Sequence, residues 1–388
     1  MDNEVYKLRP IAIYLPQYHP VPENDEWWGK GFTEWTNVAK AKPLFKNHYQ
    51  PQLPADLGFY DLRLAETREA QARMAKAYGI HGFCYYHYWF NGKRILEKPF
   101  QEVYESNKPD FPFMLCWANE NWTRRWDGKE HEILLEQHYS EEDDRLHIKS
   151  LLPYFKDSRY IKINNRPVIA IYKSAMLPHA KQTIDLWREE AKKEGINLYI
   201  CRFENDEYNG KEFMECGFDA AIEFQPFSSK LNEYNRIRKT QIKKWKLKTR
   251  LLYKFYSLIK ASKKSAAIKE KHSHGTYLDY NHFVDHIMTC PEKKNDYLLF
   301  PGAMPAWDNT ARKGINSFMF RNCSPSKFKE WLYFLTINFL PPSKEENLIF
   351  INAWNEWAEG CHLEPCQKYK SEYLEAVKEV FIKLIENK

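Results

Sequence analysis

Two carboxylates near the C-terminal end of the chain have the side chains and spacing needed for chemistry on a glycosidic bond. Glu356 and Glu359 lie three residues apart beside Trp354 and Trp357. Cleaving or transferring a glycoside requires two nearby carboxyl groups, one that donates a proton and one that accepts it. We therefore predict that both glutamates are catalytic, with carboxyl groups within roughly 5–6 Å of each other. A helix start, whose first turn favours acidic side chains, is the alternative.

The pair follows an apolar run at 347–353 that is typical of a buried strand. Near-continuous apolar runs indicate parallel strands buried on both faces. Such runs predict strands at 10–15, 81–89, 111–117, 167–172, 197–203, 218–224, 297–303 and 347–353. Amphipathic patterns between them predict helices at 61–78, 141–155, 178–194, 209–216, 326–338 and 371–386. Eight strands with interleaved helices predict an α/β fold, a (β/α)8 TIM barrel forming one domain over 1–388.

Barrels of this kind carry their chemistry at the C-terminal ends of the strands. Polar and aromatic side chains collect after the predicted strands, and indole faces commonly stack on sugar rings. We predict that substrate is bound by Tyr18, His19, Trp28, Trp35, His87, Trp89, Trp117, Asn119, Glu120, Trp122, Glu223, Trp307, Asp308, Trp354, Asn355 and Trp357. Structural roles are the alternative: the tryptophans could plug the barrel mouth, and the histidines could be hydrogen-bonded scaffold. Glu120 could pair with Arg124 or Arg125.

The composition fits a carbohydrate-binding protein of a reducing compartment. Aromatic residues make up 16% of the chain, with 13 Trp and 25 Tyr, more than a core requires. The eight cysteines are spread thinly, and several lie inside apolar runs, where cysteine behaves as a small buried hydrophobe. The first nine residues contain charges and no signal-like apolar stretch. No run is long enough to span a membrane. We therefore expect a cytoplasmic location.

No metal and no cofactor are predicted. Cys361, His362 and Cys366 lack a Cys-x-x-Cys pair and a second ligand cluster at suitable spacing. Phosphate-cradling glycine loops and dinucleotide fingerprints are also missing from a sequence that has only 14 glycines.

A strongly basic, helical insertion is predicted between strands six and seven, at 228–292. Residues 230–271 contain 15 Lys or Arg and two acids, whereas the whole chain has a net charge of +6. Within it, apolar residues recur at helical spacing over 241–260, which is typical of an interfacial helix attracted to anionic lipid. We predict peripheral contact with the inner membrane. The alternative is an arm whose apolar stripe covers the barrel, and nucleic acid is not predicted as a partner.

Several segments resemble known families. The run Asn355-Glu356-Trp357-x-Glu359-Gly360-x-x-Leu363-Glu364-Pro365 resembles the catalytic signature of glycoside hydrolase family 99, the endo-α-mannosidases and endo-α-mannanases. The chain is still more similar to the WbsX-type branch, whose members are named as bacterial polysaccharide-biosynthesis proteins or glycosyltransferases. That similarity rests on Tyr14-Leu15-Pro16-Gln17-Tyr18-His19-Pro20, Trp28-Gly29-Lys30-Gly31-Phe32-Thr33-Glu34-Trp35, Tyr88-Trp89-Phe90-Asn91-Gly92-Lys93 and Cys116-Trp117-Ala118-Asn119-Glu120-Asn121-Trp122.

The resemblance implies a (β/α)8 fold and a retaining, metal-independent mechanism. In family 99 the first glutamate of the signature deprotonates the sugar's own 2-hydroxyl, which attacks C1 and gives a 1,2-anhydro intermediate. The second glutamate acts as acid and then as base at the leaving oxygen. Matched by position, these are Glu356 and Glu359. Ala358 replaces the family's His and Trp354 its Phe, so the family's substrate specificity does not carry over.

Together these observations predict a carbohydrate-active enzyme that cleaves or transfers α-mannoside-like linkages in bacterial surface polysaccharide metabolism. Its partner would be an oligosaccharide or polysaccharide. A glycosyltransferase with a nucleotide- or lipid-linked donor is the second hypothesis, although no Asp-x-Asp follows any predicted strand. A non-catalytic glycan-binding barrel is the third, and two intact glutamates argue against it.

Overall fold

The structure is a computed structural model that describes residues 7–124, 129–205, 207–240, 275–290 and 295–383. The predicted interfacial helix at 241–260 lies outside these ranges, so its contact with a membrane stays a prediction. The assignment of 1–388 to one domain, with 228–292 as an insertion within it, also stays a prediction.

The apolar runs of the sequence form the strands of a barrel. Within the described residues these are β1 (Arg9–Tyr14), β2 (Gly82–Phe90), β3 (Phe113–Trp117), β4 (Arg166–Ile171), β5 (Tyr199–Glu204), β6 (Ala220–Glu223), β7 in two pieces (Leu299–Phe300 and Gly302–Ala303) and β8 (Leu348–Ile351). Residues of these strands are buried almost without interruption, because one face lines the barrel interior and the other packs under helices. Each fully buried Ile, Leu or Phe contributes about 1.5–3 kcal/mol.

The divided strand β7 brings the two edges of the sheet together. Its first piece pairs with β6, where Ile222 is opposite Phe300, and its second piece pairs with β8, where Ala303 is opposite Ile351. The intervening Pro301 has no N–H to donate, but its carbonyl accepts a hydrogen bond of 2.9 Å from the Phe350 amide. The remaining strands follow in sequence order, all parallel. Nine parallel segments thus form a nearly closed barrel, which confirms the (β/α)8 prediction.

Helices occur at all six positions where the sequence predicts them. They span Ala65–Ala77, Glu141–Phe155, Ala180–Lys193, Lys211–Met214, Pro325–Asn338 and Glu372–Lys378, the last followed by a π turn. The helical residues 229–240 and the helix Tyr280–Thr289 lie inside the predicted helical insertion. Within the described residues, four further α-helices were not predicted: Pro22–Trp28, Glu34–Lys40, Lys98–Ser106 and Thr310–Lys313. Most of these are shorter than the window over which helical periodicity can be recognised.

Short hairpins extend the strands at the rim where β2, β3 and β8 end. Lys93–Ile95 turns back on β2, and Trp122–Arg124 pairs with Lys129–Leu135 after β3. After β8, Asn355–Glu356 pairs with Cys361–His362. Additional backbone pairing therefore extends the rim at which the sequence predicts substrate binding and catalysis.

The described parts of the predicted insertion pack beside the barrel. Residues 229–240 are helical, and the helix Tyr280–Thr289 follows the strand Thr276–Asp279. That strand pairs in parallel with Phe318–Arg321, which lies between β7 and β8. Among the described residues, no helix combines the length and apolar character needed to cross a membrane.

We predict that Gly302→Ala strongly destabilises the protein by separating β7 from β6. A Cβ at Gly302 would lie 2.1 Å from the carbonyl oxygen of Glu223, a backbone atom that cannot move aside without breaking the sheet. The expected loss is about 3 kcal/mol, measured by urea unfolding. Gly195→Ala is the control: this turn glycine has positive φ and no atom near its Cβ position. It should lose only about 1 kcal/mol, and equal losses would contradict the steric explanation.

Candidate active site

The loop after β8 is fixed to the end of β1 by the side chain of Asn355. Its Oδ1 accepts a hydrogen bond of 2.8 Å from the Leu15 amide, and its Nδ2 donates one of 3.0 Å to the Leu15 carbonyl. The Tyr18 hydroxyl donates to the Asn355 carbonyl and accepts from the Trp357 amide. The start of the carboxylate motif is therefore held by the neighbouring strand.

A tight turn then presents both glutamates. Residues Trp357–Glu359 form one turn of 3-10 helix, which ends at Gly360 in the left-handed conformation, with φ of +57°. Glycine adopts that conformation without strain. The Gly360 amide donates to the Trp357 carbonyl at 3.0 Å, and the chain returns as the second strand of the hairpin. The turn holds Glu356 and Glu359 three residues apart at the barrel rim.

The guanidinium of Arg312 binds three carboxylates at once. Its Nη1 donates to Glu359 Oε1 at 2.6 Å and its Nη2 to Glu356 Oε2 at 3.2 Å. Its Nε donates to Glu34 Oε1 at 2.8 Å, and its Nη2 lies 2.7 Å from the same oxygen. Planar guanidinium with five N–H donors can satisfy several carboxylates in this way. Glu34 follows β1, Arg312 follows β7 and the pair follows β8, so three loops converge on one cation.

Burial raises the pKa of both glutamates of the pair. For Glu356, loss of solvent together with the charge of Glu359 raises the pKa to about 8, although Arg312 opposes the shift. Burial also raises the pKa of Glu359, and the charges of Glu34 and Glu120 add to the effect. The coupled pair therefore retains a proton at a pH where exposed carboxyl groups have lost theirs.

Both carboxylates face a cavity of about 510 Å³ at the rim. Three indoles (Trp28, Trp122 and Trp307) line it, as does Glu120, whose carboxylate lies 3.9 Å from Lys173 Nζ. The tyrosines Tyr86, Tyr88 and Tyr172 also contribute to the wall. Of the predicted substrate-binding residues, the structure thus brings Trp28, Glu120, Trp122 and Trp307 together with the two glutamates.

Four other predicted residues pack beneath the motif instead of lining the cavity. Trp357 donates its indole N–H to buried Glu364 at 2.7 Å and stacks on His362. The ring of Trp35 contacts Trp357 and Tyr18, and fully buried Trp354 packs on Phe83. Ala358 is also fully buried. The two positions that differ from the family-99 signature, Trp354 and Ala358, therefore lie in the core under the pair.

A second group surrounds a buried histidine on the helix Glu141–Phe155. His147 Nε2 is 2.9 Å from His87 Nε2, and the ring of Trp89 stacks on His147 at 4.7 Å. Trp117 packs edge-on against the same ring. Burial lowers the pKa of His87 to about 3, so its ring is neutral at ordinary pH. These side chains anchor β2 and β3 to the helix layer.

The remaining predicted residues have internal partners or are buried away from the cavity. Asn119 exchanges two hydrogen bonds with the Lys173 backbone, at 2.7 and 2.9 Å, which ties the end of β3 to the end of β4. Glu223 accepts from the Gly302 amide at 3.3 Å. Asp308 accepts from two side chains, His48 at 2.8 Å and Gln50 at 2.9 Å. His19 is buried, which lowers its pKa to about 4.

The cysteines near the motif have protein partners. Cys361 Sγ donates to the Asn352 carbonyl at 2.8 Å. The two ring nitrogens of His362 lie 2.9 Å from the Glu364 carbonyl and from Gln52 Oε1. Cys361 and His362 are therefore both hydrogen-bonded within the protein.

Comparison with known proteins identifies the family. A family model described as "Glycosyltransferase WbsX" matches residues 10–377, from β1 to the last helix. The chain belongs to this family. The protein WxcX of Xanthomonas campestris pv. campestris, named as an uncharacterized protein, is 37% identical over 374 residues in two strains. These residues make up 95% of the chain and 49% of WxcX, so the chain spans about half the length of the curated relatives it matches.

Solved structures share the fold at low sequence identity. A "Glycoside hydrolase-like protein" superposes with a TM-score of 0.57 at 14% identity, covering 97% of this chain and 95% of its own. A GH99 endo-alpha-mannosidase from Bacteroides thetaiotaomicron gives 0.55 at 12% identity, covering 98% of both chains. A complex of that mannosidase with BIS-TRIS-Propane gives 0.53 at 12%, covering 97% and 98%. At this identity the likeness shows the fold, and it agrees with the barrel described above.

Two charged residues of the site, Glu34 and Arg312, were missed by reasoning from the sequence. Glu34 lies inside the segment Trp28–Trp35, where only the two tryptophans were predicted to bind substrate. Arg312 follows Trp307 and Asp308 by a few residues, and nothing in its neighbourhood marks it as special. A buried arginine between three carboxylates becomes visible only when the loops after β1, β7 and β8 are brought together.

We predict that Arg312→Met destabilises the protein by about 3 kcal/mol or more at pH 8, because three carboxylates lose their shared counter-charge. Removing this cation raises the pKa of Glu356 and Glu359 further, so the loss should be smaller at pH 5, where the pair can be protonated. Unfolding in urea at both pH values measures the effect. Arg63→Met, which breaks the exposed pair with Asp61, is the control and should lose less than about 1 kcal/mol. A loss independent of pH would contradict the electrostatic account.

We predict that Glu356→Gln stabilises the protein relative to wild type, and that this difference grows as pH rises. The folded-state pKa of Glu356, about 8, lies above the ordinary value of 4.5, so between these values the folded state binds more protons than the unfolded state. Wild-type stability contributed by this group therefore falls from pH 5 to pH 8, by on the order of a few kcal/mol. The neutral amide removes this dependence. Thermal unfolding across this range tests it, with exposed Glu66→Gln as the control. Parallel pH curves for wild type and Glu356→Gln would refute the expectation.

Proposed function

We propose that this protein is a carbohydrate-active enzyme that cleaves or transfers α-mannoside-like linkages by a retaining mechanism with two glutamates. Its biological setting would be the assembly or trimming of a bacterial surface polysaccharide. The observation that carries the proposal is the coupled pair Glu356 and Glu359, held by Arg312 in a cavity with indole walls. Membership in the WbsX family, described as glycosyltransferases, supports a carbohydrate-active enzyme, and the barrel is shared with a GH99 endo-alpha-mannosidase.

The chemistry of the cavity suits a sugar. Trp28 and Trp122 are partly exposed indoles whose apolar faces can stack on pyranose rings, and buried Trp307 completes the wall. Carboxylate and phenol groups beside them can bind hydroxyls. Cavities that bind ligands combine apolar walls with a few convergent polar groups in this manner. Perturbed pKa values at two groups facing the same cavity are typical of acid–base catalysts.

The proposed reaction proceeds in two steps. Ionised Glu356 removes the proton of the sugar 2-hydroxyl, and the 2-oxygen attacks C1 as the glycosidic bond breaks. Glu359 donates its proton to the leaving oxygen, giving a 1,2-anhydro sugar. Glu359 then takes a proton from water or an acceptor hydroxyl, whose oxygen attacks C1 and opens the three-membered ring. The 2-oxygen recovers its proton from Glu356, and two inversions give net retention.

Arg312 is proposed as a positioning residue in this scheme. It contacts both glutamates through adjacent nitrogens of one rigid group, so their separation is fixed before substrate arrives. Its positive charge counteracts the effect of burial on the pKa of Glu356 and so keeps the ionised form of that base accessible near neutral pH. A base with its pKa near the working pH is well matched to proton abstraction.

Transfer from an activated donor is the second candidate function. The family description names a glycosyltransferase, and Lys173 and Lys313 line the same cavity as the glutamates. Ammonium groups in that position could bind the phosphates of a nucleotide- or lipid-linked sugar. A non-catalytic glycan-binding role is less favoured, because a binding site gains nothing from two buried glutamates with raised pKa values.

The prediction for catalysis is that Glu356→Gln and Glu359→Gln retain substrate affinity and lose turnover by about 10²–10⁴-fold. The substrate is first sought by offering the purified protein a panel of α-glycosides and nucleotide sugars. On an aryl glycoside with an activated leaving group, Glu359→Gln should be partly spared in the first step, whereas Glu356→Gln should not. Glu66→Gln serves as the control and should behave as wild type.

Two further measurements distinguish the alternatives. A 2-deoxy substrate should bind without turning over, and NMR of the first-formed product should show the anomeric configuration of the substrate. Normal turnover of the 2-deoxy compound would exclude attack by the 2-oxygen. Consumption of a nucleotide sugar, with no cleavage of any glycoside, would favour the transferase. Wild-type rates in both glutamine variants on every substrate would assign the pair a structural role.

A further inference from the structure

Three side chains of metal-binding type meet beside the barrel, at some distance in the chain from the catalytic motif. Glu233 belongs to the helical residues 229–240, His286 to the helix Tyr280–Thr289, and Cys290 caps that helix. Their ligand atoms all lie within 4.8 Å of one another. Among the described residues, this is the one group of three His, Cys, Asp or Glu side chains close enough to hold a metal ion. Cys290 Sγ is 3.3 Å from His286 Nδ1, as expected for residues four apart on one helix face.

We propose that Glu233, His286 and Cys290 bind one zinc ion, with solvent at the fourth position. Thiolate, imidazole and carboxylate are the three ligand types that zinc takes in proteins, usually in a tetrahedral arrangement. Zinc–ligand bonds of about 2.0–2.3 Å separate the ligand atoms by about 3–4 Å, so closure around an ion requires only small side-chain movements. His286 also lines an open surface cavity of about 790 Å³, which gives an ion access.

Zinc binding would form a zinc–sulfur bond to Cys290 and release the thiol proton to solvent. The carboxylate of Glu233 and the thiolate of Cys290 would together balance the charge of the dication. Lys230, three residues before Glu233, pairs with Glu223 at 3.6 Å.

The position of the cluster suggests what the ion would do. Glu233 precedes the basic stretch 241–274 in the chain, and His286 and Cys290 follow it. One ion would therefore join the two ends of this stretch beside the barrel, without contributing to the chemistry proposed for Glu356 and Glu359. A variant that loses the ion should therefore keep its turnover, and a variant that loses turnover should keep the ion.

Cobalt(II) titration of the full-length protein tests the proposal, because tetrahedral cobalt reports a thiolate ligand through its charge-transfer absorption. We expect that absorption to saturate at one equivalent, to be displaced by Zn²⁺, and to accompany release of one proton. Cys290→Ser should abolish the charge-transfer absorption. His286→Ala and Glu233→Gln should each weaken zinc binding by about 100-fold or more, since even outer-sphere changes at zinc sites lose 10–100-fold.

Cys216→Ser is the matched control, because Cys216 is a partly buried cysteine outside the cluster. It should bind cobalt as wild type does. Charge-transfer absorption that is missing from wild type, that persists in Cys290→Ser, or that disappears in Cys216→Ser would overturn the proposal. Glu233→Gln leaves the helix Tyr280–Thr289 untouched, so it decides the question if Cys290→Ser fails to fold. Zinc should raise the melting temperature of wild type and not that of Glu233→Gln.

Discussion

The arrangement of the rim depends on one cation, Arg312, whose side chain is mostly buried and reaches the cavity wall. Arg312 binds Glu34, Glu356 and Glu359, and without it three carboxylates would repel one another in a poorly hydrated space. Burying one uncompensated charge costs several kcal/mol, so these loops can approach only if the guanidinium is among them. Lysine could not replace it, because a single ammonium cannot direct donors to three separate groups in one plane. The pKa values of Glu356 and Glu359 are raised because burial disfavours their ionised forms more strongly than the single positive charge of Arg312 favours them.

The rim around this cation is fixed by polar side chains that tie neighbouring strand ends together. Asn355 bonds the backbone of Leu15, and Asn119 bonds the backbone of Lys173 in the same two-point manner. Below the motif, Glu364 accepts hydrogen bonds from Trp357, Tyr60 and Gln71, although burial raises its pKa to about 7. The proposed catalytic pair would need such support, because reactive groups act only when they are held close to their productive geometry. Many of the polar and aromatic residues that follow the strands serve this purpose.

For this chain, membership in the WbsX family is stronger evidence than similarity of fold to solved structures. The WbsX model covers nearly the whole sequence, whereas the endo-alpha-mannosidase shares 12% of its residues along with the barrel. Trp354 and Ala358, which differ from the family-99 signature, are fully buried. They can alter the packing beneath the pair without reaching substrate. In the proposed site, the residues that would contact substrate are those of the cavity wall, where Trp28, Trp122 and Trp307 meet the tyrosines.

The sequence alone determined the fold class, the number and order of the barrel strands, and the rim that holds the two glutamates. Local patterns were sufficient because parallel strands buried on both faces must be apolar throughout, and because strand ends in such barrels share one rim. Tertiary structure decided which rim residues face the cavity: Trp122 does, whereas Trp117, equally aromatic and five residues earlier, packs against His147. It also decided the partners of Glu34 and Arg312, 278 residues apart. Nothing local marks such a pair, since its energy comes from mutual burial, which exists only after the barrel has closed.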